Sequence, residues 1–182
     1  MRDTKKAVLF LVVFVSIYVG LNILYGLWIS SYQNQPDPIT YSITKQTSVI
    51  LNLMGEATII QPALDKPSVN VLKHERKIIG VYEGCNSINV IIVFVAFIVA
   101  FKGSWKYVAW FIPLGSFIIY MANLIRVAVL YLVAAYWSHY FYYFHKYLFT
   151  AFIYFIVFML WLWWMKLSHG ITLKSLFSKT YP

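Results

Sequence analysis

Three side chains carry the chemistry that this sequence offers: the thiol of Cys85, the guanidinium of Arg126 and an imidazole at His145. Cys85 is the only cysteine, and it sits in "EGCNSINVIIVFVAF", where a short polar segment meets a long apolar run. A thiolate is the reactive species, and a free thiol near pKa 8.5 is mostly protonated at neutral pH. At the start of a helix, the helix N-terminus favours the anion. A neighbouring His145 is suited to take the thiol proton and return it to a leaving amine. Arg126 lies within "YMANLIRVAVLYL", and an arginine in an apolar helix is costly unless it faces the bundle interior or a polar partner. Its natural tasks are stabilising a thiolate or the oxyanion of a tetrahedral intermediate. Backbone N–H groups of Asn86 and Ser87, at the free end of the helix, are candidates to share that second task. Glu83 works against the arrangement, because a nearby carboxylate raises a thiol pKa.

Each of these residues also has a plainer reading. A lone cysteine at a helix end is commonly a small buried hydrophobe. An arginine deep in an apolar stretch can snorkel to lipid headgroups. A histidine within "HYFYYFHKY" suits an aromatic belt at a membrane interface, and His139, six residues earlier, competes with His145 for the role of base. His74 and His169 have the surroundings of ordinary polar-segment residues.

The elements that must hold these groups follow from composition. Of 182 residues, 61% are hydrophobic and 12% charged, against about 45–50% and about 25% in an average soluble domain. The apolar residues come in runs near the roughly 20 needed to cross a bilayer, so the chain is expected to be an all-α integral membrane protein. The net charge of +9 does not indicate nucleic acid, since the basic residues sit at the ends of apolar runs rather than in one patch. One cysteine excludes an intrachain disulfide, and no Cys/His cluster has metal-site spacing. No metal or cofactor is expected.

Four spans are expected: about 7–30, read as an uncleaved signal anchor; 86–101; 105–126, bending after Arg126 and continuing as an outer-leaflet helix to about 138; and 146–165. Between the first two lies a polar segment, 31–84. Counting lysine and arginine beside the spans, both termini and the 102–106 loop carry Arg2, Lys5, Lys6, Lys102, Lys106, Lys166, Lys174 and Lys179 against Asp3 alone. The 31–84 segment balances five bases with five acids. Cytoplasmic termini and an extracytoplasmic 31–84 follow. Within that segment "YSITKQTSVILNLMG" suits a helix on the membrane surface, and "VNVLKHERKIIGVYE" suits a β-hairpin running into Cys85. Its 54 residues are too few for a sizeable core, so the cap must lean on the membrane helices.

Helical rise then aligns the three reactive groups. Cys85 is 17 residues before Lys102, Arg126 is 20 after Lys106, and His145 is 21 before Lys166. At about 1.5 Å per residue these offsets are roughly 26, 30 and 31 Å, near the ~30 Å thickness of a hydrocarbon core. With the lysines at the inner interface, thiol, guanidinium and imidazole reach the outer interface together.

At these residues the chain resembles a known family. "EGCNSINVIIVFVAF", "YMANLIRVAVLYL" and "FHKYLFTAFIYFIVFMLWLWW" resemble, in order, the Cys, Arg and His motifs of the exosortase/archaeosortase family, and "EGCN" is most similar to the compact exosortase F branch. The resemblance implies a membrane-embedded cysteine peptidase or transpeptidase of the bacterial inner membrane. Its partners would be exported proteins whose C-terminal sorting signal has a short motif, a membrane helix and a basic cluster, with an envelope amine such as a glycolipid as acceptor. By the same resemblance Cys85 is the nucleophile, Arg126 the family's arginine, and His145 rather than His139 the third member, with Asn123 one turn before Arg126 to orient it. Many members have Cys-Ser-Gly where this chain has Cys85-Asn86-Ser87. A non-enzymatic membrane scaffold or assembly subunit is the rival reading; a transporter subunit has little support without an inverted repeat.

Overall fold

The computed structural model describes residues 2–33, 35–101 and 103–169. The lysines at 102, 174 and 179 lie outside the described residues, as do the side chains of Arg2, Asp3 and His169. In chain order come α1 (Arg2–Ser30), α2 (Pro38–Leu53), β1 (Thr58–Pro62), β2 (Ser68–Lys73), β3 (Arg76–Tyr82), a 3₁₀ turn (Glu83–Cys85), α3 (Ile88–Ala100) and α4 (Trp105–Tyr136). A compact reversal follows, made of a 3₁₀ turn (Ser138–Tyr140), one helical turn α5 (Phe141–Tyr143) and a π-helical turn (Phe144–Leu148), before α6 (Phe149–His169). The protein is an α-helical membrane protein with a small sheet.

Among the described residues, three helical stretches are long and apolar enough to cross a membrane: Thr4–Ser30, Trp105–Tyr136 and Ser138–Ser168. The run expected to span 86–101 forms helix over only 13 residues, about 20 Å at ~1.5 Å per residue, because its first residues are spent on the turn that carries Cys85. α4 runs from Trp105 through Arg126 to Tyr136, one helix over both parts of the stretch expected at 105–126 and on to about 138, and the chain reverses at Trp137. Its first half packs with α3 and α6 around Phe94, Phe111, Ile119, Val157 and Trp164. Gly115 lets α3 close on α4, since a Cβ there would strike the Phe94 ring. Gly103 does the same for Trp164, whose ring a Cβ would meet at 2.5 Å. That end of the bundle also carries Lys106 and Lys166, both exposed, and Lys6, which lines a cavity with Ala100 and Phe101.

The second half of α4 packs under the cap. Leu124, Val127, Ala128 and Tyr131 share a core with Ile43 and Leu51 of α2, with Val71, Ile79 and Val81 of the sheet, and with Cys85. α2 begins at Pro38 because Asp37 caps it, its carboxylate accepting from the N–H groups of Ile39 and Thr40 at 2.9 Å each, with proline at the first helical position. The helix expected over 41–55 is therefore present and starts earlier. Its buried face is rich in hydroxyls, with Thr40, Thr44, Thr47 and Ser48 beside Ile43 and Leu51, while Tyr41, Val49 and Leu53 stay exposed.

The sheet is an antiparallel meander in the order β1-β2-β3. The expected hairpin is β2–β3, closed by the Lys73↔Arg76 pair. His74 and Glu75 form its two-residue loop with φ of 48° and 63°, the positive pair that matches the twist of a tight hairpin. β1 was not expected. It is short, ends in Pro62 and is held by pairing with β2 from Thr58↔Lys73 to Pro62↔Val69. The Asn52 side chain also bonds Thr58, accepting from its N–H and donating to its carbonyl.

Candidate active site

Cys85 ends the 3₁₀ turn between β3 and α3 and is 6% exposed. The hairpin delivers it from one side and α3 leaves on the other, so the sulfur lies where cap and bundle meet. Its Sγ is 4.0 Å from Nε2 of His145. His145 belongs to the π-helical turn that starts α6, and its ring stacks on Phe141 with centroids 5.7 Å apart. His139 lies exposed against Tyr140, and no described contact joins it to Cys85. The reversal after α4 thus brings back the second histidine of the aromatic run rather than the first.

Asn123 and Arg126 reach the same place from one face of α4, three residues apart. Asn123 is fully buried, and its Nδ2 donates to the carbonyl of Cys85 at 2.8 Å while its Oδ1 has no partner. Asn123 therefore bonds the backbone of the cysteine rather than Arg126. Arg126 is 9% exposed, and its Nε also lacks a partner. No carboxylate pairs with it among the described residues. Its charge acts on Cys85, Tyr82 and His145. A buried guanidinium without a counter-ion is costly, and its charge favours the thiolate form of Cys85.

Burial pushes the Cys85 thiol above its ordinary value; Arg126, then the phenol of Tyr82, then the Tyr82 backbone N–H oppose that rise without cancelling it. The balance favours the protonated thiol, and a reacting sulfur needs a base beside it. Tyr82 was missed in the sequence. Its phenol is itself pushed up, first by the Cys85 sulfur and then by burial, so it remains a donor. The available signal was the glycine between them: a Cβ at Gly84 would come within 2.5 Å of the Tyr82 ring. Residue 84 has no side chain so that the ring can fold back beside the cysteine.

The Asn86 N–H, expected as an oxyanion donor, already has a backbone partner. The Asn86 N–H is taken by the carbonyl of Glu83 at 3.2 Å. Its side chain accepts from the Ile88 N–H at 3.0 Å and donates to Tyr25 of α1 at 2.7 Å and Thr40 of α2 at 3.2 Å. One buried amide so caps α3 and ties it to two other helices. Ser87 has φ of 64°, the left-handed conformation that glycine adopts without cost.

No group of three or more His, Cys, Asp or Glu side chains suited to a metal occurs among the described residues. No curated protein and no solved structure matches the chain. The profile of one family, described as transmembrane exosortase, matches residues 3–164. That stretch contains the cap, the bundle and every residue of the site, and the chain belongs to the transmembrane exosortase family.

Proposed function

We propose that this exosortase-family chain is a cysteine peptidase or transpeptidase that cuts the C-terminal sorting signals of exported proteins. The observation that carries the reading is the 4.0 Å contact between Cys85 and His145 beside an arginine that has no carboxylate partner among the described residues. His145 takes the thiol proton as sulfur attacks the scissile carbonyl. The charge that develops on the carbonyl oxygen is met by Arg126 and the Tyr82 phenol. Collapse of the tetrahedral intermediate breaks the C–N bond, the proton passes from His145 to the departing amine, and the upstream protein remains as a Cys85 thioester. Water or an envelope amine, such as that of a glycolipid, then attacks the thioester and restores the thiol. Because the thiol is raised by burial, proton transfer accompanies attack; no standing thiolate–imidazolium pair is required.

In this reading the substrate's membrane helix lies beside the bundle in the bacterial inner membrane, its basic tail at the cytoplasmic end with Lys6, Lys106 and Lys166. Residues 31–84 cover the site on the opposite side, and both termini are cytoplasmic. The test is co-expression with an epitope-tagged exported reporter ending in a short motif, an apolar helix and a basic cluster. Wild type shortens the reporter, and Cys85→Ala leaves it at full length. Undiminished shortening by Cys85→Ala would end the proposal. The rival scaffold reading draws on the burial of Cys85; it requires alkylation of that thiol to be indifferent to His145.

A further inference from the structure

β3 is an edge strand whose outer side is unused. The sheet order places it last, and among the described residues no backbone hydrogen bond reaches it from outside the sheet. A cleft of about 420 Å³ runs beside it, lined by Lys77, Ile78, Ile79, Gly80 and Tyr82 on one side and by Ala134, Ser138, Phe141 and His145 on the other. Side chains along a strand alternate between faces, and beyond the bulge at Ile78 the consecutive residues Ile79 and Gly80 both line the cavity, which a single face of the strand does not allow. The cleft follows the edge of β3, where the unpaired N–H and C=O groups emerge.

The cleft also ends at the chemistry. Tyr82 faces the Cys85 sulfur and His145 contacts it, and both line the cleft. A lipid chain would match Ile78, Ile79, Ala134 and Phe141 but would leave the strand's polar groups unsatisfied, which is costly next to hydrocarbon. An extended polypeptide satisfies them by adding a fourth strand. The proteins that manage exposed edges often do so with proline or a bulge; β1 ends in Pro62, and β3 carries a bulge at Ile78, skipped between the Lys77↔Leu72 and Ile79↔Val71 pairs, which leaves Ile79–Tyr82 as its regular edge.

We infer that this cleft is the substrate channel: the exported protein's segment next to the scissile bond binds in extended form along the free edge of β3, with alternate apolar side chains against Ile79, Ala134 and Phe141. This rests on the peptidase reading and adds to it the binding mode and the side-chain class accepted. Four residues paired along Ile79–Tyr82, beyond the bulge, would cover about 14 Å at ~3.4 Å each, delivering the next peptide bond to Cys85.

The test uses the full chain and the tagged reporter described above. A photo-reactive benzoylphenylalanine replaces Ile78, or as control Ile59 on the opposite edge of the sheet, in a Cys85→Ala background that traps uncut reporter. Crosslinks are expected from position 78, mapping to reporter residues next to its membrane helix, and not from position 59. In otherwise native protein, Ala134→Trp fills the cleft and should slow reporter cleavage about tenfold or more, the scale of a misplaced reacting bond, while iodoacetamide alkylates Cys85 at the wild-type rate. Crosslinking from 59 but not 78, or wild-type cleavage by Ala134→Trp while Cys85→Ala is inactive, overturns the channel alone. Cleavage by Cys85→Ala overturns the peptidase reading and the channel with it.

Discussion

The Asn123 side chain donates to the backbone carbonyl of Cys85 at 2.8 Å, across 38 residues of sequence. This bond fixes the turn carrying the thiol to the helix carrying Arg126, so nucleophile and guanidinium are positioned by one contact. Asn123→Leu keeps the size but removes the donor and leaves the buried carbonyl unpaired. Reporter cleavage by this variant is expected to fall about 100-fold, the scale of a small misplacement of reacting groups. Asn123→Asp, whose protonated form can still donate, should retain more activity at pH 5 than at pH 8, relative to wild type.

Cys85 is the only thiol, so its alkylation rate reads the site without further mutation. His145→Ala is expected to slow alkylation near neutral pH and to reduce cleavage by about 10²–10⁴-fold, the usual contribution of a general base. His139→Ala, which alters an exposed ring away from the thiol, should change neither. Equal effects of the two variants, measured by mass spectrometry of the alkylated chain, would reject the assignment of the base.

Tyr82→Phe removes a phenol that favours the thiolate. Because that phenol holds the thiol lower than it would otherwise be, its loss moves the pH profile of Cys85 alkylation to higher pH. Gly84→Ala should do the same with the phenol intact, since the added Cβ would lie 2.5 Å from the Tyr82 ring and displace it. The measurement is alkylation rate against pH for the three proteins; coincident profiles would remove Tyr82 from the site.

Cap docking has its own pH window. Glu56 accepts from Lys73 at 2.8 Å and from the Tyr136 phenol at 2.6 Å, joining the loop before β1 and the end of β2 to the last turn of α4. The Lys73 hydrogen bond, followed by that of Tyr136, holds the Glu56 carboxyl below its usual range. Glu56, followed by Tyr136, holds Lys73 above its own. A lowered carboxylate contributes stability that is present above its unfolded pKa and lost as pH falls through its folded one. A raised lysine contributes below its unfolded pKa and loses the contribution as pH rises through its folded one. The clamp is therefore complete from above the ordinary glutamate range to below the ordinary lysine range. Glu56→Gln should lower thermal stability at pH 7, with the difference from wild type shrinking toward pH 3. Proteolysis of the cap against pH, in detergent, measures it.

Much of this arrangement was legible in the chain alone. Hydrophobic runs of membrane length, a β-hairpin with polar residues at its turn, and a cysteine at the head of an apolar helix are local properties, set by side-chain polarity and backbone preference within a few residues. Helical rise even related Cys85, Arg126 and His145, because depth along a helix is a one-dimensional quantity. Rotation about the helix axes and the identity of partners are not. The strand Thr58–Pro62 has too little local preference to declare itself and exists because β2 offers an edge. The buried hydroxyl face of α2 breaks the apolar pattern that marks a core, since it packs against α4 and the sheet through small side chains. Which histidine meets the thiol depends on the tight reversal at 137–148. Asn86 became a tie between three helices because Tyr25 and Thr40 converge on it. Sequence by itself determined a membrane protein whose thiol, guanidinium and imidazole lie at similar residue offsets from basic ends of their helices. Only the tertiary structure decided that Asn123 holds the cysteine backbone, that Tyr82 faces the sulfur and that β3 keeps a free edge beside them, because those relations depend on how separate elements rotate and pack against one another.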